Sequence, residues 1–62
     1  MIMKFYTVWI TDITLPVVRP QLEFVTGSHD EAEKFLQDLG YKSCDEDLYY
    51  HPGGGSAMID EI

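Results

Sequence analysis

The sequence predicts an α+β domain in which one helix packs on a mainly antiparallel sheet, in the order β-β-α-β-β. One segment has the capping residues and apolar spacing of a helix. The segments around it are rich in β-branched and aromatic residues and are separated by proline or glycine. The chain has 62 residues, which suits a single domain over residues 1–62, near the lower size limit for folding on one core.

The first strand is predicted from Met3 to Thr11, in the segment MKFYTVWIT. Successive side chains of a strand point to opposite sides, and here both sides are apolar, which indicates a central strand. One side carries Tyr6, Val8 and Ile10, and the other carries Phe5, Thr7 and Trp9. A second strand is predicted in QLEFVT, with Leu22 and Phe24 on one side.

The helix is predicted in the segment SHDEAEKFLQDLGY. Ser28 followed three residues later by Glu31 forms an S-x-x-E capping box, which begins a helix. Gly40 supplies the left-handed position that ends one. One apolar stripe at i, i+3, i+4 and i+7 faces the sheet and consists of Ala32, Phe35, Leu36 and Leu39.

A third strand is predicted in DLYYH and a fourth in AMIDEI, with three consecutive glycines between them. A phosphate loop would need a helix after the glycines, whereas Asp60 and Glu61 follow and would repel a phosphate. Glycines accept the positive φ of tight hairpin loops, so we expect Gly53–Gly55 to turn the chain. The predicted core consists of Val8, Ile10, Leu22, Phe24, Ala32, Phe35, Leu36, Leu39 and Ile59.

The sequence favours neither an enzyme nor a metal or cofactor site. Cys44 precedes three acidic residues, which raise the pKa of a thiol and suppress the reactive thiolate. His29 and His51 have no ligand partner at a recognised zinc spacing. A single cysteine excludes an intrachain disulfide and suits a reducing compartment, and no apolar run approaches ~18 residues. We therefore expect a cytoplasmic protein that contacts no membrane.

The charge balance predicts a basic protein as partner. Eleven acidic residues face four basic ones, for a net charge of −7. This field repels nucleic acid and anionic lipid and attracts basic proteins. The acids outside the helix, Asp45, Glu46 and Asp47 among them, have two interpretations. They form a solvated surface, or they form a phosphate-like array that occupies the nucleic-acid groove of a partner.

A single helix covers one face of a sheet, so the other face needs a further layer or a partner. Phe5, Trp9 and Tyr49 are predicted on that second face, with His51 as a further candidate. Either they shield one another, or they form an interface, which a homodimer would also use. The predicted partner-binding residues are Trp9, Asp45, Glu46, Asp47, Tyr49 and Tyr50.

The opening MKFYTVWI, the segment VTGSHDEAEKFLQDLGY and the acidic last strand resemble small phage and mobile-element accessory proteins. The resemblance implies a β-β-α-β type fold and a protein made in the host cytoplasm. Some such proteins inhibit host enzymes or defence systems such as CRISPR. We therefore expect a stoichiometric inhibitor of a nucleic-acid-handling protein; the alternative is a structural homodimer or virion component without inhibitory activity. The resemblance supplies no shared site motif, so no functional residue is carried over.

Overall fold

The computed structural model describes residues 4–14 and 16–62 and contains one helix and five strands within them. The helix α1 packs on one of the two faces of the sheet, as predicted for an α+β domain. The elements, in chain order, are β1 (Tyr6–Thr11), β2 (Pro20–Thr26), α1 (His29–Asp38), β3 (Lys42–Asp45), β4 (Leu48–Tyr50) and β5 (Ser56–Glu61). The predicted start of the first strand at Met3 lies outside the described residues.

The five strands form one antiparallel sheet in the order β2-β1-β5-β4-β3. β1 has a neighbour on each side, which agrees with its predicted interior position. β5, the last strand in the chain, lies in the middle of the sheet between β1 and β4. The register pairs Val8 with Ile59 and Trp9 with Met58. The two ends of the described chain are therefore neighbours in space.

The ends of α1 follow from its sequence. The Ser28 hydroxyl accepts a hydrogen bond from the Glu31 amide at 3.4 Å and so caps the first turn. The Glu31 carboxylate accepts from the Thr26 hydroxyl at 2.7 Å, which ties the first turn to β2. At the other end Gly40 has a φ of +91°, and the Tyr41 amide donates to the Leu36 carbonyl at 3.0 Å. This is a Schellman C-cap, and it turns the chain toward β3.

The core lies between α1 and the sheet. Val8 and Leu36 are its largest fully buried side chains. The rings of Phe24 and Phe35 stack at a centroid distance of 4.5 Å and cover one side of the core. Buried hydrophobic residues among those described are Val8, Ala32, Leu36, Tyr49, Ala57 and Ile59.

Two residues predicted in the core are half exposed instead, Leu22 at 48% and Leu39 at 47%. Leu39 is the C-cap of α1, so its side chain lies beyond the last turn that packs on the sheet. Leu22 changes sides because of a β-bulge: Val8 pairs with Phe24, but the next residue of β1, Trp9, pairs with Leu22. The bulge inserts Glu23 into β2 and moves Leu22 to the face opposite Phe24.

The strand β3, Lys42–Asp45, was not among the strands predicted from the sequence. All four of its residues are exposed at the edge of the sheet. An edge strand exposed on both sides needs no apolar alternation, so the usual signal is absent. The glycine hairpin is confirmed: the His51 amide donates to the Gly55 carbonyl at 3.1 Å, and Gly54 and Gly55 have φ of +110° and +102°.

Candidate protein-binding surface

The sheet face opposite α1 has no covering layer within the described residues. Across it runs a row of apolar side chains, one from each of four adjacent strands. The row is Leu22, Trp9, Met58 and Leu48, and each member is the register partner of the next. Side chains paired in this way lie about 4.5–5.5 Å apart, so the row is continuous.

Further apolar residues lie on the same side. Val25 pairs with Thr7, and Tyr50 pairs with Ser56, on either side of the row. Phe5 follows the alternation of β1 onto this face. Apart from Trp9, the apolar side chains of this face are between 40% and 51% exposed. The open face is defined here as Phe5, Trp9, Leu22, Val25, Leu48, Tyr50 and Met58.

Trp9 is held in place on the open face by a hydrogen-bond chain. Its indole N–H donates to the Thr7 hydroxyl at 3.0 Å, and that hydroxyl donates to the Asp60 carbonyl at 3.3 Å. Thr7 is only 4% exposed. Because the indole N–H already has a partner, burying the ring under another molecule leaves no donor unsatisfied. Trp9 is thus a fixed, half-buried aromatic anchor near the middle of the face.

Acidic side chains lie around this face. Asp60 pairs with Thr7 and so belongs to the same side of the sheet. Asp45 and Glu46 are exposed at the β3–β4 turn. Glu61, which pairs with Tyr6, lies on the helix side instead and forms a solvated ion pair with Lys4 at 3.1 Å. The open face is therefore an apolar surface with carboxylates at its rim.

The structure separates the residues predicted to bind a partner. Trp9 and Tyr50 lie on the open face. Asp45 and Glu46 are exposed at the turn, where the Asp45 Oδ1 accepts a hydrogen bond from the Glu46 amide at 2.7 Å. The prediction that Tyr49 lies on the second face is wrong, because it pairs with Ala57 on the helix side and is 6% exposed. Burial is the main cause that raises the pKa of its phenol. Neighbouring residues of a strand face opposite sides, so Tyr49 and Tyr50 cannot share a surface.

His51 also lies away from the open face. Its ring packs edge-on against Tyr41 at a centroid distance of 5.1 Å, and its Nδ1 accepts a hydrogen bond from the Gly53 amide at 2.9 Å. These contacts stabilise the β4–β5 turn. The sequence interpretation missed Leu48 and Met58 as members of the open face. Leu48 lies two residues before Tyr50 in the same strand, so the alternation of side chains predicts that both lie on one face.

Asp47 is bound to the helix rather than free. Its Oδ1 lies 2.5 Å from Nε2 of His29, whose Nδ1 lies 2.9 Å from a Glu33 carboxylate oxygen. The hydrogen bond to Asp47 is the main cause that raises the pKa of His29 above 6.5. Burial opposes it, and the charges of Asp47, Glu33 and Asp30 add to it. The protonated imidazole satisfies both carboxylates.

The same cluster is the candidate for metal binding among residues 4–14 and 16–62. Ligand atoms of His29, Asp30 and Glu33 lie within 4.8 Å of one another. Both ring nitrogens of His29 already contact carboxylates, which favours the imidazolium form, and an imidazolium has no lone pair for a metal. The geometry is that of an ion-pair cluster. Cys44 is exposed on β3, and its thiol contacts the Leu48 carbonyl at 3.5 Å.

Comparison with known proteins found no match to the chain among family models, curated proteins or solved structures. The resemblance to phage and mobile-element accessory proteins rests on the sequence segments quoted above. No helix in the described parts of the chain has the length and apolar character to cross a membrane. The open face and the charges at its rim are the features from which a function can be inferred.

Proposed function

We propose that this protein acts by stoichiometric binding, and that its open face docks on a basic protein. The observation that carries the proposal is the continuous row Leu22–Trp9–Met58–Leu48 across four strands, which no other described part of the chain covers. Contiguous exposed apolar patches on small proteins mark interaction sites. Tryptophan and tyrosine supply much of the binding energy at such sites, and Trp9 and Tyr50 lie here.

The size of the open face favours a different protein over a second copy. Strands about 4.8 Å apart, with about 3.3 Å per residue, give the face an area of roughly 400 Å². Two copies packed face to face would bury about 800 Å² in total, below the roughly 1,200 Å² of a stable interface. Pairing also brings together two chains that each carry a charge of −7. A larger partner can extend its contact beyond the open face onto the carboxylates at the rim, which enlarges the buried area, and its lysine or arginine side chains there would attract the negative charge.

Proteins that handle nucleic acid carry basic surfaces of this kind, because they neutralise phosphates with lysine and arginine. We therefore propose such a protein as the target, with inhibition by occupation of its nucleic-acid site. Asp45 and Glu46 support this idea, since they are exposed and available to cationic side chains. The sequence resemblance adds the proposal that the target belongs to a phage host or to its defence system.

A matched pair of substitutions tests the proposal. Leu48 and Leu39 have similar exposure, 45% and 47%, but only Leu48 lies on the open face. Immobilised parent protein, Leu48→Gln and Leu39→Gln would be incubated with lysate of the organism in which the protein acts, and retained proteins identified by mass spectrometry. We expect a basic protein that the parent and Leu39→Gln retain and Leu48→Gln loses.

The retained protein would then be purified, and its affinity for nucleic acid measured with increasing amounts of the parent. We expect loss of nucleic-acid binding at one equivalent, and weaker association with the parent as salt rises from about 50 to 200 mM. Light scattering of the parent distinguishes the alternative. A dimer that Leu48→Gln dissociates and Leu39→Gln preserves would show that a second copy occupies the face, and the proposal would be wrong.

A further inference from the structure

The contact between His29 and Asp47 joins two parts of the molecule that otherwise touch little. His29 is the first residue of α1, and Asp47 lies 18 residues later in the turn between β3 and β4. The helix packs mainly on β1, β2 and β5. β3 is exposed along its whole length. Within residues 4–14 and 16–62, His29–Asp47 is the one side-chain hydrogen bond between α1 and the β3–β4 hairpin, and the ring of Tyr49 is buried in the core beside it.

The chemistry of imidazole makes this contact dependent on protonation. Both partners of His29 are carboxylates, Glu33 at Nδ1 and Asp47 at Nε2, and an ionised carboxylate only accepts hydrogen bonds. A protonated imidazole has two N–H donors and satisfies both. A neutral imidazole has one donor, so one carboxylate then faces a nitrogen lone pair. One of the two contacts must be lost when His29 loses its proton.

We propose that His29 is a pH-sensitive switch that holds the β3–β4 turn against α1 when protonated and releases Asp47 when neutral. We assign the lost contact to Asp47, because Glu33 lies one turn away on the same helix and stays near His29 in either state, whereas Asp47 belongs to the separate β3–β4 turn. The proposal stands independently of the proposed function. The titratable groups around His29 are Asp30 and Glu33 from α1, Tyr6 from β1, and the residues of the β3–β4 hairpin that line the same cleft, namely Asp45, Glu46, Asp47 and Tyr49.

The direction of the pH effect follows from these neighbours. The carboxylates raise the pKa of His29 above its ordinary value of 6.5 in the folded protein. A group whose pKa is raised by folding contributes its full stabilisation below the unfolded pKa. That contribution is then lost as the pH rises through the higher folded value. The turn is therefore held at pH values below the raised pKa of His29 and released as the pH rises through it.

Release affects the side chains of the turn more than its backbone. The Ile59 amide donates to the Asp47 carbonyl at 3.0 Å, a contact that does not depend on His29. Asp47 has a φ of +58°, which an aspartate adopts only under constraint or in turns. Once His29 is neutral, the Asp47 carboxylate is freed beside Asp45 and Glu46. The negative charge exposed at this corner then increases.

Two-dimensional NMR over a pH series tests the switch, with the His29 ring signals and the turn amides as readouts. Asp47→Asn removes the charge and keeps a residue that tolerates positive φ. Asp45→Asn is the matched control, since Asp45 belongs to the same hairpin and forms no hydrogen bond or ion pair with His29. Its Oδ1 accepts from the Glu46 amide at 2.7 Å, and an asparagine Oδ1 can accept in the same way. We expect the Glu46 and Asp47 amides of the parent to titrate with the same midpoint as the His29 ring. Their protection from solvent exchange, taken relative to the intrinsic exchange rate at each pH, should fall above it.

In Asp47→Asn we expect a lower pKa of His29 and loss of the amide response at position 46, while Asp45→Asn retains both. Two results would overturn the proposal. One is a set of turn amides that do not follow the His29 midpoint in the parent. The other is an equal fall of the His29 pKa in Asp45→Asn and Asp47→Asn, which would show a general field of acidic charge in place of a specific contact.

Discussion

Gly54 shows how a single backbone angle determines the β4–β5 hairpin. Its φ is +110°, and a Cβ at this position would lie 2.8 Å from the Ile13 Cδ1 atom. We expect Gly54→Ala to lower the free energy of unfolding by about 1–3 kcal/mol, the cost of a strained backbone. Gly27→Ala is the control, because its added Cβ meets no atom closer than 4.0 Å. Urea unfolding of both variants checks this, and equal midpoints would contradict the strained turn.

At the scale of the helix, two leucines of the same predicted stripe have different environments. Leu36 is fully buried, whereas Leu39 is the half-exposed C-cap. We expect Leu36→Ala to cost about 2–5 kcal/mol, a large part of the stability of so small a domain. Leu39→Ala should cost less than about 1 kcal/mol, as partly exposed positions do. Thermal unfolding followed by far-UV circular dichroism compares them; similar losses would mean that α1 extends a further turn onto the sheet.

The elements that sequence reasoning predicts well are those with local signals. Ser28 and Gly40 predict the ends of α1 because caps act through neighbouring residues. The bulge at Glu23 has no such signal, since it depends on how β2 pairs with β1. Leu22 therefore appears on the wrong side when alternation alone is applied. The short edge strand β3 also has no local signal, because a strand that is exposed on both sides has no alternation of apolar and polar residues.

For the whole molecule, the excess of acid predicts a response to salt. Eleven acids face four bases, and among the described residues Lys4–Glu61 is the single ion pair formed by a lysine. Like charges on one compact surface repel, and salt screens that repulsion. At pH 7 we expect the melting temperature to rise as NaCl increases from about 20 to 200 mM, which shortens the Debye length severalfold.

The same salt series near the isoelectric point of about 4.3 is the control, and the rise should be much smaller there. A melting temperature at pH 7 that stays constant or falls with salt would mean that attractive pairs outweigh the repulsion.

The open face could be predicted only in part. One helix cannot cover two faces of a sheet, so an uncovered face with Trp9 on it follows from the sequence alone. Tyr49 and Tyr50 are adjacent and must face opposite sides of the sheet, but the local sequence does not determine which of the two faces the helix. The choice is made by the pairing of Tyr49 with Ala57, whose small side chain leaves room for the ring beneath α1. Such long-range pairing lies beyond local patterns.

The central position of β5 has a consequence for how the protein forms during synthesis. β5 is the last of the described strands to leave the ribosome, and it alone connects the β1–β2 hairpin with the β3–β4 hairpin in the sheet. A nascent chain that ends before Ser56 therefore carries two separate hairpins, and isolated hairpins are at best marginally stable in water. During that interval, the edge of β1 that later pairs with β5 has unpaired backbone N–H and C=O groups. The complete sheet can therefore form only after β5 has left the ribosome.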